Sequence, residues 1–193
     1  IDNYAISKQE GTLTVTNREA KYEITVKANS ATATYDGKEH EAVGVETYEF
    51  TVEGNSYTVS GLSTEDPKQK DAGSYTNNIT GTPVVTDKEG NVVTSEFEVK
   101  TENGSLEIGK AAVTLKSATL SKKYDGNALV NGDTALEVES GFAEGEGATY
   151  NFTGSQTVVG SSANAFSYEL NSNTNIDNYA ISKQEGTLTV TNR

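Results

Sequence analysis

The chain has no cysteine, methionine or tryptophan, only two prolines and a single histidine, His40, in 193 residues. Without cysteine there is no disulfide framework, thiol nucleophile, zinc finger or iron–sulfur cluster. One histidine rules out a multi-histidine metal site and leaves one side chain that titrates near neutrality. Basic residues are scarce as well. Fifteen Lys and Arg face 28 Asp and Glu, for a formal charge of −13, so the basic footprint of a nucleic-acid binder is missing. No apolar run approaches the roughly 20 residues that a membrane-spanning helix needs. The sequence opens at Ile1 without a leader and reads as a piece cut from a longer protein.

What is present is repetition. Residues 1–18, IDNYAISKQEGTLTVTNR, recur without a change at 176–193, a period of 175 residues. Point mutation erases such identity, so its survival implies recent duplication within a tandem array. A weaker repeat lies inside the period. KYEITVKANSATATYDG (21–37) aligns with KAAVTLKSATLSKKYDG (110–126) at an offset of 89, and FEVKTENGSLEI (97–108) with YAISKQEGTLTV (179–190) at an offset of 82. The seven residues of difference fall mostly between Gly81 and Glu96. Two homologous modules are expected, 19–109 and 110–193. Residues 1–18 then form the terminal hairpin of a preceding module.

Apolar and polar residues alternate with period two almost throughout, as in Tyr22-Glu23-Ile24-Thr25-Val26-Lys27, and β-favouring Thr, Val and Tyr are abundant. Turn signals punctuate the runs: Asp36-Gly37, Glu53-Gly54, Glu89-Gly90, Asn103-Gly104, Asp125-Gly126 and Glu185-Gly186. The expected class is all-β: two tandem immunoglobulin-like β-sandwich modules, end to end. The alternative is a β-grasp-like module with one short helix, in 38–47 or 127–146. Only residues 18–21 separate the first two runs, and Lys110 alone separates the modules. Linkers this short predict stiff stacking.

Tyr35-Asp36-Gly37 and Tyr124-Asp125-Gly126, with VVGSSANAFSYEL (158–170) and NYAISKQEGTLTVT (178–191), carry a family resemblance. The chain resembles the MBG-type (YDG-type) repeats of bacterial cell-surface adhesins. The second module fits better, since the first has DAGSYTNNIT (71–80) in the corresponding place. The resemblance implies an extracellular, cell-surface location and a stalk or adhesive role beside neighbouring identical repeats. It brings no catalytic residues and no cofactor.

Candidate chemistry is sparse. The YDG triplets read as turns in which Asp bonds nearby backbone and Gly takes a left-handed conformation. His40, in KEHE, reads as a loop residue, because the second module has Leu129 there. Glu65, Asp66 and Asp71, or Asp87 and Glu89, offer oxygen ligands for calcium but match no calcium-loop pattern. Residues 19–109 carry −10, 110–193 carry −3 and 1–18 carry zero, which reads as a solvated acidic face. Lys27 and Lys116 occupy equivalent strand positions. In adhesins that this chain resembles, such lysines sometimes form isopeptide bonds to Asn, but alternation turns these two outward. Tyr48, Tyr57 and Tyr75 lie where the first module diverges, and could bind a host glycan, mucin or surface protein. No spacing supports a Ser-His-Asp triad, so no enzyme is expected. Leu13 and Val15 lack a module of their own and are expected to seek a neighbour contact, by extending the first strand or by a swap with another molecule.

Overall fold

Alternation works as expected where the chain first becomes regular: Ile24 and Val26 are buried, while Glu23 and Lys27 face solvent or its margin. The computed structural model describes residues 7–16, 19–133 and 135–193. The first half contains β1 (Tyr22–Lys27), β2 (Ala31–Thr34), β3 (His40–Glu41), β4 (Glu49–Val52), β5 (Asn55–Thr64), β6 (Lys68–Gln69), β7 (Gly73–Asn77), β8 (Ile79–Asp87), β9 (Phe97–Glu102) and β10 (Gly104–Gly109). The second contains β11 (Ala111–Lys116), β12 (Leu120–Lys123), β13 (Leu129–Val130), β14 (Val138–Ser140), β15 (Ala148–Phe152), β16 (Ser155–Gln156), β17 (Gly160–Ala163), β18 (Phe166–Leu170), β19 (Tyr179–Gln184) and β20 (Thr187–Thr191). Among the described residues, helix is confined to 3₁₀ turns at Thr94–Glu96 and Ile176–Asn178. The chain is therefore all-β. The helix of a β-grasp module is not found among the described residues of 38–47 or 127–146. Nor is any described helix long and apolar enough to cross a membrane.

The two halves repeat one pairing scheme. β1 runs parallel to β9, and β11 parallel to β19. β2 runs parallel to β10, which also pairs antiparallel with β7. β12, β20 and β17 repeat that arrangement. β5 pairs antiparallel with β8, as β15 does with β18. The first half is the longer chiefly because β8 has nine residues where β18 has five; it also differs in that β4 and β5 form a hairpin through Glu53-Gly54, both at positive φ. Residues 81–96, where the sequence comparison places most of the excess, include the extension of β8.

Two turn signals do something else. Asn103-Gly104 and Glu185-Gly186 close no hairpin: β9 and β10 lie in different sheets, as do β19 and β20. The segment read as a terminal hairpin is thus one extended path, bent where it passes from one sheet to the next. The glycines are needed because another chain segment lies against them. A Cβ on Gly104 would collide with the carbonyls of Ala28 and Asn29, and one on Gly186 with those of Ser117 and Ala118. At Gly11, the counterpart of Gly186 in the N-terminal copy, a Cβ meets open space. Gly186→Ala is expected to cost about 1–3 kcal/mol through overpacking, and Gly11→Ala nothing measurable, in paired denaturation curves.

Two apolar clusters hold these sheets. One gathers Ile24, Val26, Val59, Val85 and Phe97 between β1–β9 and β4–β5–β8. The other straddles Lys110. Tyr35, Leu106 and Ile108 from the first half pack with Val113, Leu115, Phe166 and Tyr179 from the second. Beyond it, Leu188 and Val190 of β20 are buried on one face of the last sheet. Residues 7–16 contain no strand, although their sequence matches 182–191. Leu13 and Val15 are 100 % and 99 % exposed, against 0 % and 1 % for Leu188 and Val190. The N-terminal copy is not held as an extension of β1 through residues 7–16. Residues 1–6 and 17–18 of the copy lie outside the described residues.

Candidate functional site: the junction between the halves

β10 passes into β11 across Lys110 alone, so the end of the first half is pressed against the start of the second. β2 delivers Tyr35 there. Its backbone N–H donates to the Gly109 carbonyl at 2.8 Å, which keeps the chain beside β10 past the strand end. Asp36 then accepts from the Lys38 N–H at 2.9 Å, and Gly37 turns the chain at φ 79°. This is the Asx-turn chemistry expected of the triplet. The Lys38 amide, with His40 adding to it, holds the Asp36 carboxyl below its ordinary value.

Tyr35 crosses into the second half. Its hydroxyl donates to Glu146 Oε1 at 2.6 Å, and Tyr179, the first residue of β19, donates to Glu146 Oε2 at 2.8 Å. One carboxylate thus bridges two tyrosines from different halves. The two rings meet edge to face at 5.3 Å, and Phe142 packs against Tyr179 at 5.2 Å. The Tyr179 oxygen in turn accepts from the Ala143 N–H at 3.1 Å. Beside this aromatic group, buried Asn178 accepts from the Ala72 N–H at 2.8 Å and donates to Asp71 Oδ1 at 2.9 Å. The rings are buried where they meet, and Asn178 both accepts and donates across the junction, so it fixes orientation as well as adhesion.

Burial, with the Glu146 carboxylate adding to it, raises the ionisation of Tyr35 and Tyr179 above the ordinary tyrosine value. A raised folded value means that the unfolded chain loses these protons first. Their contribution to stability is therefore intact below pH about 10 and falls as the pH climbs above it. The double variant Tyr35→Phe/Tyr179→Phe is expected to flatten this alkaline loss in denaturation midpoints taken from pH 8 upward. Tyr150, which burial also raises, and Lys27 and Lys100, which Glu102 and Glu23 raise, keep part of the alkaline loss in that variant.

The three tyrosines singled out as ligand candidates are not brought to one surface. Tyr48 and Tyr57 pack against the first cluster, Tyr57 with its ring 4.8 Å from Phe97, while Tyr75 packs against the second. The Tyr75 hydroxyl donates to the Asp71 carbonyl at 3.0 Å. The acidic candidates are occupied with loop building. Asp66 accepts from the Gly44 N–H and Thr64 Oγ1, Glu65 from Asn78, and Asp87 twice from Asn91. Among the described residues no three acidic or histidine side chains converge as a cation would require. His40 lies in β3 rather than in a loop, 2.9 Å from Asp36 Oδ1. Lys27 and Lys116 reach carboxylates, Glu102 and Glu137, each at 3.0 Å, rather than an asparagine. Both are partly exposed, as alternation requires.

Glu146 and Asn178 are the residues that sequence reasoning did not single out. Asn178 had a faint signal, since it stands inside the duplicated segment, one residue before the tyrosine that starts a strand. Glu146 had none. It comes after Gly145 in a run of Gly, Ala and Glu, and only the fold brings it to Tyr35, 111 residues earlier. No protein-family model, curated protein or solved structure matches this chain.

Proposed function

We propose that this chain is a structural repeat of a cell-surface adhesin, a spacer that carries a distal binding region away from the surface and transmits tension along the array. The observation that carries this reading is the core shared across Lys110, sealed by the Tyr35–Glu146–Tyr179 bridge. A flexible tether has no use for a buried junction, whereas a stiff one requires it. The exact recurrence of residues 1–18 at 176–193, at a period of 175, supports the reading, because spacers lengthen by copying whole units. So does the acidic surface, which keeps crowded copies apart. In this reading each period is a pair of immunoglobulin-like modules of the MBG type, on a bacterial surface, and it performs no catalysis.

The test is binding of one period and of three periods in series to immobilised mucin and to a glycan panel. The spacer reading predicts no saturable binding by either form. Saturable binding that strengthens sharply from one period to three would make the repeat itself the adhesive element, through many weak contacts.

A further inference from the structure

The two YDG triplets have the same backbone and opposite surroundings. Tyr124 N–H donates to the Thr191 carbonyl at 2.9 Å, as Tyr35 does to Gly109. Asp125 accepts from the Asn127 N–H at 2.9 Å, as Asp36 does from Lys38, and Gly126 takes φ 83° where Gly37 takes 79°. Yet Tyr35 is 4 % exposed and Tyr124 is 43 % exposed. The difference is the second half, which covers Tyr35 and has no counterpart over Tyr124.

Neighbouring positions show the same contrast. β7 starts at Gly73 opposite Ile108, and β17 starts at Gly160 opposite Val190. The residues just before them, Asp71-Ala72 and Val158-Val159, therefore occupy equivalent places. The first pair binds Asn178, whereas Val158 and Val159 are 67 % and 49 % exposed. Three apolar side chains thus stand at the end of the second half in the places by which the first half grips its neighbour.

We propose that Tyr124, Val158 and Val159 form a docking surface for a second copy of this chain, specifically for the end of its first half built from Tyr22, Tyr57 and Phe97. Phe97 starts β9 as Tyr179 starts β19, and each is preceded by a 3₁₀ turn. The rings of Tyr22 and Tyr57 flank Phe97 at 5.6 and 4.8 Å; Phe97 is itself buried in the first cluster, so the half-buried Tyr22 and Tyr57 present the receiving face. The repeat supplies the order: the residues before Glu19 are identical to those ending at Arg193, so in series each second half leads directly into a first half.

Charge also selects this partner. The turn before β9 ends in Glu96 where the turn before β19 ends in Asn178. A first half docked on another first half would set Asp71 against Glu96. A second half docked on another second half would bury Asn178 against Val158 and leave its amide without a partner, a cost that disfavours the pairing. Val158 facing the exposed Glu96 sets no like charges together, and the Glu96 carboxylate keeps its water at the rim of the contact, so the halves alternate.

This inference rests on the spacer reading for its geometry in series, and its test separates the two. Residues 1–193 joined to a further 19–193, with Tyr124→Phe in the second copy so that one Tyr124 reports, are compared with the single chain by hydroxyl-radical oxidation and mass spectrometry. Oxidation of Tyr124 is expected to slow about tenfold in the two-copy chain, the ratio of 43 % to 4 % exposure. Val158→Asp in the first copy should restore fast oxidation by opposing Glu96, while leaving the stability of the single chain unchanged. Equal oxidation of Tyr124 in one copy and two overturns the proposal. Protection that survives Val158→Asp overturns the assignment of Glu96 as its neighbour. Solution scattering from the same two-copy chain reads the spacer proposal separately. A protected Tyr124 in a bent chain keeps the docking and removes the rod, and an unprotected Tyr124 in an extended chain does the reverse.

Discussion

Truncating Leu188 to alanine is expected to cost about 2–5 kcal/mol of stability, while truncating Leu13, the same residue in the same eighteen-residue sequence, changes stability by less than about 0.5 kcal/mol. Leu188 sits in β20 between β12 and β17 and has no solvent exposure. Removing its isobutyl group forfeits the transfer free energy of the side chain and leaves a cavity that two flanking strands prevent from collapsing. Leu13 is fully exposed, so its truncation returns nothing to water that water does not already touch. Urea denaturation of the two variants, read against the parent chain, measures both. Equal losses would mean that the N-terminal copy is seated in a core, and would contradict the described fold. The pair isolates context from sequence, because neighbours, propensities and local patterning are identical on both sides.

Tyr179→Ala is expected to cost about 3–5 kcal/mol, the loss typical of a buried aromatic cut back to a methyl group. Its ring lies in the cluster that spans Lys110, edge to face with Tyr35 and Phe142. The hydroxyl adds its own share. In Tyr179→Phe the Glu146 carboxylate loses one of two tyrosine donors and the Ala143 N–H loses its acceptor. That variant is expected to cost about 1–3 kcal/mol, as for buried polar groups left without partners. The alanine variant should also loosen the first half, because Tyr35 loses its ring partner. Hydrogen exchange at Tyr35 and Leu106 reads this directly. Unchanged protection there, with loss confined to residues after Lys110, would show that the halves are not coupled through this contact.

The strands themselves were largely legible. Tyr22-Glu23-Ile24-Thr25-Val26-Lys27 alternates because one side of β1 faces a core and the other does not, and that physical fact is written into the residues. The Asp36-Gly37 and Asp125-Gly126 turns were legible for the same reason, since short-range chemistry determines them. What was not legible depends on distance along the chain. Asn103-Gly104 and Glu185-Gly186 look like hairpin turns, but their glycines answer to backbone from 28–29 and 117–118. Parallel pairing of β1 with β9 brings together residues 75 apart, and no local pattern distinguishes it from a succession of hairpins. Glu146 meets Tyr35 on the same terms. Residues 7–16 make the point most sharply: Leu13 and Val15 alternate as Leu188 and Val190 do, but burial needs the partner strands, and only the second copy has them.

A buried junction at Lys110 is proposed to make the repeat a stiff element of length. Small-angle X-ray scattering from one, two and three periods in series tests it. For a stiff array the maximum dimension is expected to grow by the same increment with each added period, with a cross-section that does not change. Growth that falls away toward the square root of the number of periods, as in a chain of freely jointed beads, would contradict it.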